Sequence, residues 1–207
     1  MKLDSKILIC YNSPVSIYSD YSGKKIAEGK IGNDSSETGF SEEIELLESS
    51  IKKYFADVQS ITVDTNISKV INKINQIKPD AIFNLVESVE GISAFESYFA
   101  GLIALLNIQF TGNTPQTLGN CLDKAFTKKI LEAHKINTPK SIVYSSNNLL
   151  TENKFKLNFP VITKLLKEDA SIGISENSVV KNFEAIEKQL LYLSSTFKQE
   201  ILIEEYI

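Results

Sequence analysis

FPVITKLLKEDASIGIS, residues 159–175, is the stretch on which the fold turns. Val161 to Leu166 reads as a strand whose residues are mostly apolar apart from Lys164, which sets the lysine ammonium at or near the strand end. The small residues Ala170, Ser171 and Gly173 follow at once and form a turn. Backbone N–H groups of such a turn, with the Ser171 hydroxyl, can wrap phosphate oxygens while Lys164 supplies a point charge. A surface hairpin carrying a solvated lysine explains the same letters, and these residues alone do not separate the two readings.

Downstream, Phe183, Ile186, Leu190, Leu193 and Phe197 mark one face of a helix with Asn182 as its N-cap. EILIEEYI, residues 200–207, then reads as a closing strand. A strand that leaves a sheet on a carboxylate, followed by exposed backbone groups and an aliphatic residue, can read an adenine edge. In that reading Glu204 accepts the exocyclic amine, and the main chain near Glu205 and Ile207 pairs with the ring. The alternative is an edge strand whose charges face water. TPKSIVY (138–144) is a further strand, preceded by a helix that holds Lys124, Lys128 and Lys129. The Thr127–Lys129 cluster is expected to be a solvated helix face, and His134 to sit at the end of that helix as a partner of its dipole or in packing.

Upstream the grammar is different. KILICYN (6–12), SITVDT (60–65), DAIFNLV (80–86) and QFTG (109–112) read as strands. Helical faces lie between them at Ile44, Leu47, Ile51 and Phe55, at Ile67, Val70, Ile71, Ile74 and Ile77, and at Phe95, Phe99, Leu102, Ile103 and Leu106. The polar stretch 19–39 has no period and is expected to be a long loop. Alternating strand and helix with short connections predicts a parallel sheet covered on both faces. The chain therefore divides into an α/β domain over 1–113 and an α+β unit over 114–207, joined near 112–122 without a long linker.

Bulk composition narrows the chemistry. The 207 residues are 43% hydrophobic and 23% charged with net charge −4, a poor match for non-specific nucleic-acid binding. All 22 cationic residues are lysines, so the chain holds no guanidinium fork for phosphate or carboxylate. Cys10 and Cys121 form no metal-type spacing and are expected to be buried free thiols in a reducing compartment. The apolar run at the N-terminus is too short for a signal peptide, and no stretch approaches the roughly 20 apolar residues of a membrane span, which predicts a cytoplasmic protein. The first strand is not followed by GxGxxG, and no GxxxxGK[ST] occurs, which argues against a Rossmann dehydrogenase and a P-loop protein.

Taken together, DAIFNLVESVEG, the LDK…TK…TP block of residues 122–139, FPVITKLLKEDASIGIS and EILIEEYI resemble the ATP-grasp superfamily in its D-alanine–D-alanine ligase-like branch, most strongly over residues 80–207. The resemblance implies a Rossmann-like pre-ATP-grasp domain with a parallel sheet over 1–113. The α+β first subdomain of an ATP-grasp fold would follow over 114–207. It places Lys124 and Lys164 on ATP phosphates beneath a loop containing Ser171 and Gly173, and makes Glu204, Glu205 and Ile207 the adenine-binding hinge. It implies ATP and Mg²⁺ as cofactors, a small amino acid or peptide as substrate and a homodimer formed through the N-terminal domain.

In that family a second subdomain follows the hinge, supplying the Mg²⁺ ligands and an arginine for the acyl-phosphate intermediate. Residues 1–207 thus read as the N-terminal portion of an ADP-forming carboxylate–amine ligase, with no catalytic residue or metal ligand of their own and negligible phosphoryl transfer alone. A non-catalytic nucleotide- or amino-acid-binding module, or one chain of a split ligase, is the alternative. Departures from the family fall where D-alanine ligases bind substrate: YNSPVSIYSD (11–20), NLVESVEG (84–91) and Ala170 replace the usual segments. They point to another amino acid or a peptide. Glu87 and Glu90 follow the third strand at the carboxyl edge of the sheet, where they either meet a substrate ammonium or orient a substrate-binding loop, or, for Glu90, favour the next helix N-terminus.

Overall fold

The structure, a computed structural model, describes residues 2–12, 20–21, 24–25, 40–147, 150–168 and 171–207. The chain forms two compact units, Met1–Gly119 and Asn120–Ile207.

The first unit contains β1 (Leu3–Asn12), the short antiparallel pair β2 (Asp20–Tyr21) and β3 (Lys24–Lys25), α1 (Phe40–Ile51), β4 (Phe55–Val63), α2 (Ile67–Ile77), β5 (Ala81–Leu85), α3 (Phe95–Leu105) and β6 (Gln109–Phe110). Its main sheet has the order β4-β1-β5-β6 and is parallel throughout. Adjacent side chains on a strand point to opposite faces, so the register assigns the two layers. Leu8, Cys10, Ile61, Val63 and Ile82 share one face and pack with Val70 and Ile74 of α2 and Phe99 and Ile103 of α3. Ser60 lies on the other face, where its hydroxyl donates to Glu48 of α1 at 2.8 Å. Helices therefore cover both faces, as the alternation of elements predicts.

The local signals act as expected at α2. Asn66 caps it, accepting from the Lys69 N–H at 3.2 Å, and Lys78 ends it in the left-handed region before Pro79. One helical assignment is corrected: Phe55 does not extend the face of α1 but begins β4, which starts five residues before SITVDT. The β-branched and aromatic content of the longer run, with β1 beside it, outweighs the helical spacing. Cys10 is buried and Cys121 exposed, so the expectation of two buried thiols holds only for Cys10. Most of the stretch expected to be a long loop, and residues 13–19 of YNSPVSIYSD, lie outside the described residues.

α4 (Pro115–Leu122) crosses the boundary between the units. Its start carries local signals, Thr114 accepting from the Thr117 N–H at 3.2 Å and Pro115 at the first helical position. It buries no side chain, which explains why no apolar period reveals it.

The second unit contains α5 (Lys124–Ala133), β7 (Ser141–Tyr144), β8 (Val161–Leu165), β9 (Val179–Val180), α6 (Phe183–Phe197) and β10 (Ile201–Glu205). Its antiparallel sheet has the order β7-β10-β8-β9. Asn182 caps α6, accepting from the Ala185 N–H at 2.9 Å. The closing strand β10 is interior to the sheet, which removes the edge-strand reading of EILIEEYI. Its last residues stay tied, the Glu205 N–H donating to Lys140 O and the Tyr206 N–H to Pro160 O. Among the described residues, no helix is long and apolar enough to cross a membrane.

Ile74 is 1% exposed in the core of the first unit. Ile74→Ala should lower unfolding free energy by about 2–5 kcal/mol, and Asn66→Ala by about 1 kcal/mol, in urea titrations. Equal losses would contradict this division between core and cap.

Candidate functional site

The register of β8 and β10 builds the site. Lys164 stands opposite Leu202 and Glu204 opposite Ile162, so Lys164, Leu202 and Glu204 occupy one face of the sheet. Leu165, Ile201 and Ile203 occupy the other face. There Leu165 approaches Gly173 and belongs to the packing that includes Phe197 of α6. One face is thus closed by a helix, and the other carries the polar groups.

At the start of α5, Asp123 caps the helix by accepting from the Phe126 N–H at 2.9 Å. The Lys124 N–H donates to Leu166 O at 3.2 Å, and the Lys124 ammonium donates to the carbonyl of Glu168. These bonds join the helix N-terminus to the segment leaving β8. A pocket of about 230 Å³ results, lined by Lys124, Lys164, Leu165, Glu168, Ser171 and Ile174 among others. Three of the residues singled out from sequence, Lys124, Lys164 and Ser171, thus meet in one cavity. Gly173 does not line it. With φ at +75° and Leu165 Cδ1 3.1 Å from where a Cβ would stand, Gly173 lets the loop close onto the core. Ala170 lies outside the described residues.

Glu204 is the centre of a charged cluster. Its Oε1 accepts from Lys164 at 3.1 Å and its Oε2 from Lys128 at 2.8 Å. Burial opposes ionisation of Glu204, yet the two lysine bonds outweigh it and hold the carboxyl below its ordinary range. Lys128 is buried and also donates to Pro139 O. The expectation that residues 127–129 form a solvated face therefore fails at Lys128, while Lys129 is exposed. The available signal is spacing: Lys124 and Lys128 are four apart and share a helix face, whereas Lys128 and Lys129 do not. Lys164 also differs from expectation, since its ammonium lies over the sheet against Glu204. Glu168 was not singled out from sequence. It is buried in the pocket lining, and its carboxylate accepts from Gln199 Nε2 at 2.9 Å.

The residues expected at the hinge divide. Glu205 turns its carboxylate away from Lys164, accepting from the N–H and side-chain amide of Asn158 at 2.8 and 2.9 Å. Because the Glu205 and Tyr206 N–H groups are already engaged, a base could meet this segment only through its carbonyls or the Ile207 N–H. Ile207 is 96% exposed. His134 caps α5 at its C-terminus and is exposed, so it does not pack.

In the first unit, Glu87 and Glu90 lie beyond the carboxyl end of β5. The Glu87 N–H donates to Asn12 Oδ1 at 2.9 Å, and Glu90 accepts from the Thr65 hydroxyl at 2.6 Å. Asn12, Thr65 and the two glutamates thus draw together the carboxyl ends of β1, β4 and β5. Glu90 occupies a turn with φ at +50°, five residues before α3, whose first-turn acid is Glu96.

No protein-family profile matches the chain. Over 147 residues, 71% of its length, it is 29% identical to the D-alanine–D-alanine ligase of Wolbachia pipientis wMel and spans 43% of that protein. It is likewise 29% identical over 138 residues to the D-alanine–D-alanine ligase of Aquifex aeolicus, strain VF5, covering 65% of this chain and 44% of the relative. A crystal structure of D-alanine–D-alanine ligase from Bacillus anthracis complexed with ATP superposes with a TM-score of 0.63 at 20% identity, over 98% of this chain and 59% of that one. The chain is similar in sequence to D-alanine–D-alanine ligases, matches the N-terminal part of these longer proteins and shares the ATP-grasp fold of its structural neighbours in that part. It spans less than half the length of these sequence relatives.

The depressed Glu204 carboxyl stabilises the fold above its unfolded pKa, and that contribution is lost as pH falls through its folded pKa. The stability gap between wild type and Glu204→Gln, from urea midpoints, should therefore be widest at neutral pH and close in acid. A constant gap would contradict the two-lysine cluster. Gly173→Ala should cost about 1–3 kcal/mol in the same titrations, from backbone strain and crowding against Leu165.

Proposed function

We propose that this chain is the N-terminal portion of an ATP-dependent carboxylate–amine ligase, and that the second unit holds one side of the nucleotide. The observation that carries the reading is the convergence of Lys124, Lys164 and Ser171 on one pocket at the N-terminus of α5. Two ammonium groups, a hydroxyl and a positive helix end form a donor set suited to phosphate oxygens. Gly173 would shape the loop over them. Glu204 would accept the adenine amine, and the main chain at Glu205 and Ile207 would meet the ring.

On this reading the reaction joins an amino acid or peptide carboxylate to an amine. The carboxylate attacks the terminal phosphorus of ATP, giving an acyl phosphate and ADP; the amine then attacks the acyl carbon, forming the amide and expelling phosphate. The residues of this chain bind and orient the nucleotide, with Lys124 and Lys164 countering phosphate charge. Mg²⁺ would supply further charge neutralisation. Among the described residues no three His, Cys, Asp or Glu side chains gather to hold a metal ion. The chain alone should bind nucleotide without turning it over. Residues 1–113 would form the pre-ATP-grasp domain and 114–207 the first grasp subdomain, with Glu87 and Glu90 near the substrate ammonium and a homodimer formed through the first domain.

Calorimetric titration of the chain with ATP tests the reading. Lys124→Ala and Lys164→Ala should each weaken ATP binding by about 10- to 100-fold, the loss of one charge-assisted contact. Unchanged affinity in both variants would remove the phosphate site. ADP release from the chain with ATP and a panel of amino acids should stay at background, and turnover at ordinary enzyme rates of about 1 s⁻¹ or more would overturn the claim of inactivity.

A further inference from the structure

Lys128 has no part in the reading above, yet it is the one buried lysine among the described residues. Its residue exposure is 8%, and its ammonium is held by two oxygens, Pro139 O and Glu204 Oε2. Lys164 holds the other oxygen of the same carboxylate, Oε1, at 3.1 Å. The two lysines are not equivalent. Side-chain exposure is 10% for Lys128 and 28% for Lys164, and only Lys164 also lines the pocket with Lys124 and Ser171. One bond is a fixture within the fold; the other faces a cavity into which a flexible four-carbon stem can turn.

We propose that Lys128 is a positioning residue for nucleotide binding: it holds Glu204 by Oε2, so that Lys164 can exchange Oε1 for a nucleotide phosphate. The inference rests on the nucleotide reading and adds an exchange to it. As Lys164 moves to phosphate, Oε1 becomes open to the base amine, so base and phosphate recognition are made in one event. The physical basis is the cost of leaving a partly buried carboxylate unpaired. With Lys128 in place, Glu204 keeps a hydrogen-bonded countercharge when Lys164 departs. Without Lys128, Lys164 is the remaining cation observed on Glu204, and its departure would strand the charge.

The test compares ATP with adenosine by calorimetry in wild type, Lys128→Met and the double variant Lys128→Met/Glu204→Gln. Wild type should prefer ATP by at least about tenfold, which is 1.4 kcal/mol. Lys128→Met should lose most of that preference, because Lys164 stays on Glu204. The double variant should regain it, because a neutral amide in place of the carboxylate no longer retains Lys164. A structural role alone would weaken both ligands together and predicts no rescue by the second substitution. If Lys128→Met does not fold, Lys128→Gln keeps a donor for Pro139 O without the charge and is measured in its place. An unchanged preference in the single variant, or no recovery in the double, overturns the exchange while leaving the nucleotide reading intact. Wild type that binds neither ATP nor adenosine overturns both.

Discussion

The position of β10 between β7 and β8 constrains the rest of the second unit. A strand bonded on both sides cannot shift its register alone, because a one-residue slip would turn Ile201 and Ile203, both 0% exposed, to the polar face. The same register fixes Glu204 on the face that carries Lys164. Its backbone is paired on both sides within the sheet, so neutralisation must come from side chains that reach it. Lys164 does so from the neighbouring strand and Lys128 from α5. The charged cluster follows from apolar packing on the opposite face.

Much of this organisation is legible in the sequence because it rests on local chemistry. Asn66, Pro79 and Asn182 mark helix ends through hydrogen bonds and backbone limits that act within a few residues. The apolar spacing from Phe183 to Phe197 identifies α6, since that helix buries a continuous stripe. Gly173 is legible as a turn residue, and its need for left-handed backbone agrees with its contact to Leu165. Where structure departs from the sequence reading, the deciding contact is distant or weak. Phe55 belongs to β4 because β1 lies beside it, and β9 is two residues long. α4 buries no side chain and so leaves no period to read.

The site divides in the same way. Lys124, Lys164 and Ser171 could be singled out because each sits at a local feature: a helix start, an apolar strand or a small-residue turn. That they share a pocket depends on the Lys124 N–H reaching Leu166 O, across 42 residues of chain. Lys128 was hidden for the opposite reason. Its immediate neighbours suggest a solvated cluster, and the residues that define it, Pro139 and Glu204, lie 11 and 76 positions away. Only the i, i+4 relation to Lys124 carries a trace of it in the sequence.

On the proposed reading, formal charge gives a reason why the second unit would hold a nucleotide without driving phosphoryl transfer. Lys124, Lys128 and Lys164 contribute +3, while Glu168 and Glu204 contribute −2, leaving +1 around the pocket and its neighbouring cluster. Lys128 is bonded to Glu204 and does not line the pocket. On the proposed reading, the charge that would meet a triphosphate is chiefly that of Lys124, Lys164 and the α5 N-terminus. That is enough to orient an anion but insufficient to offset its several negative charges in the transition state, where metal ions and further cations ordinarily contribute. On the proposed reading, binding and chemistry are therefore separable by charge. The residues described here supply the grip, and the remaining positive charge must come from groups outside this cluster.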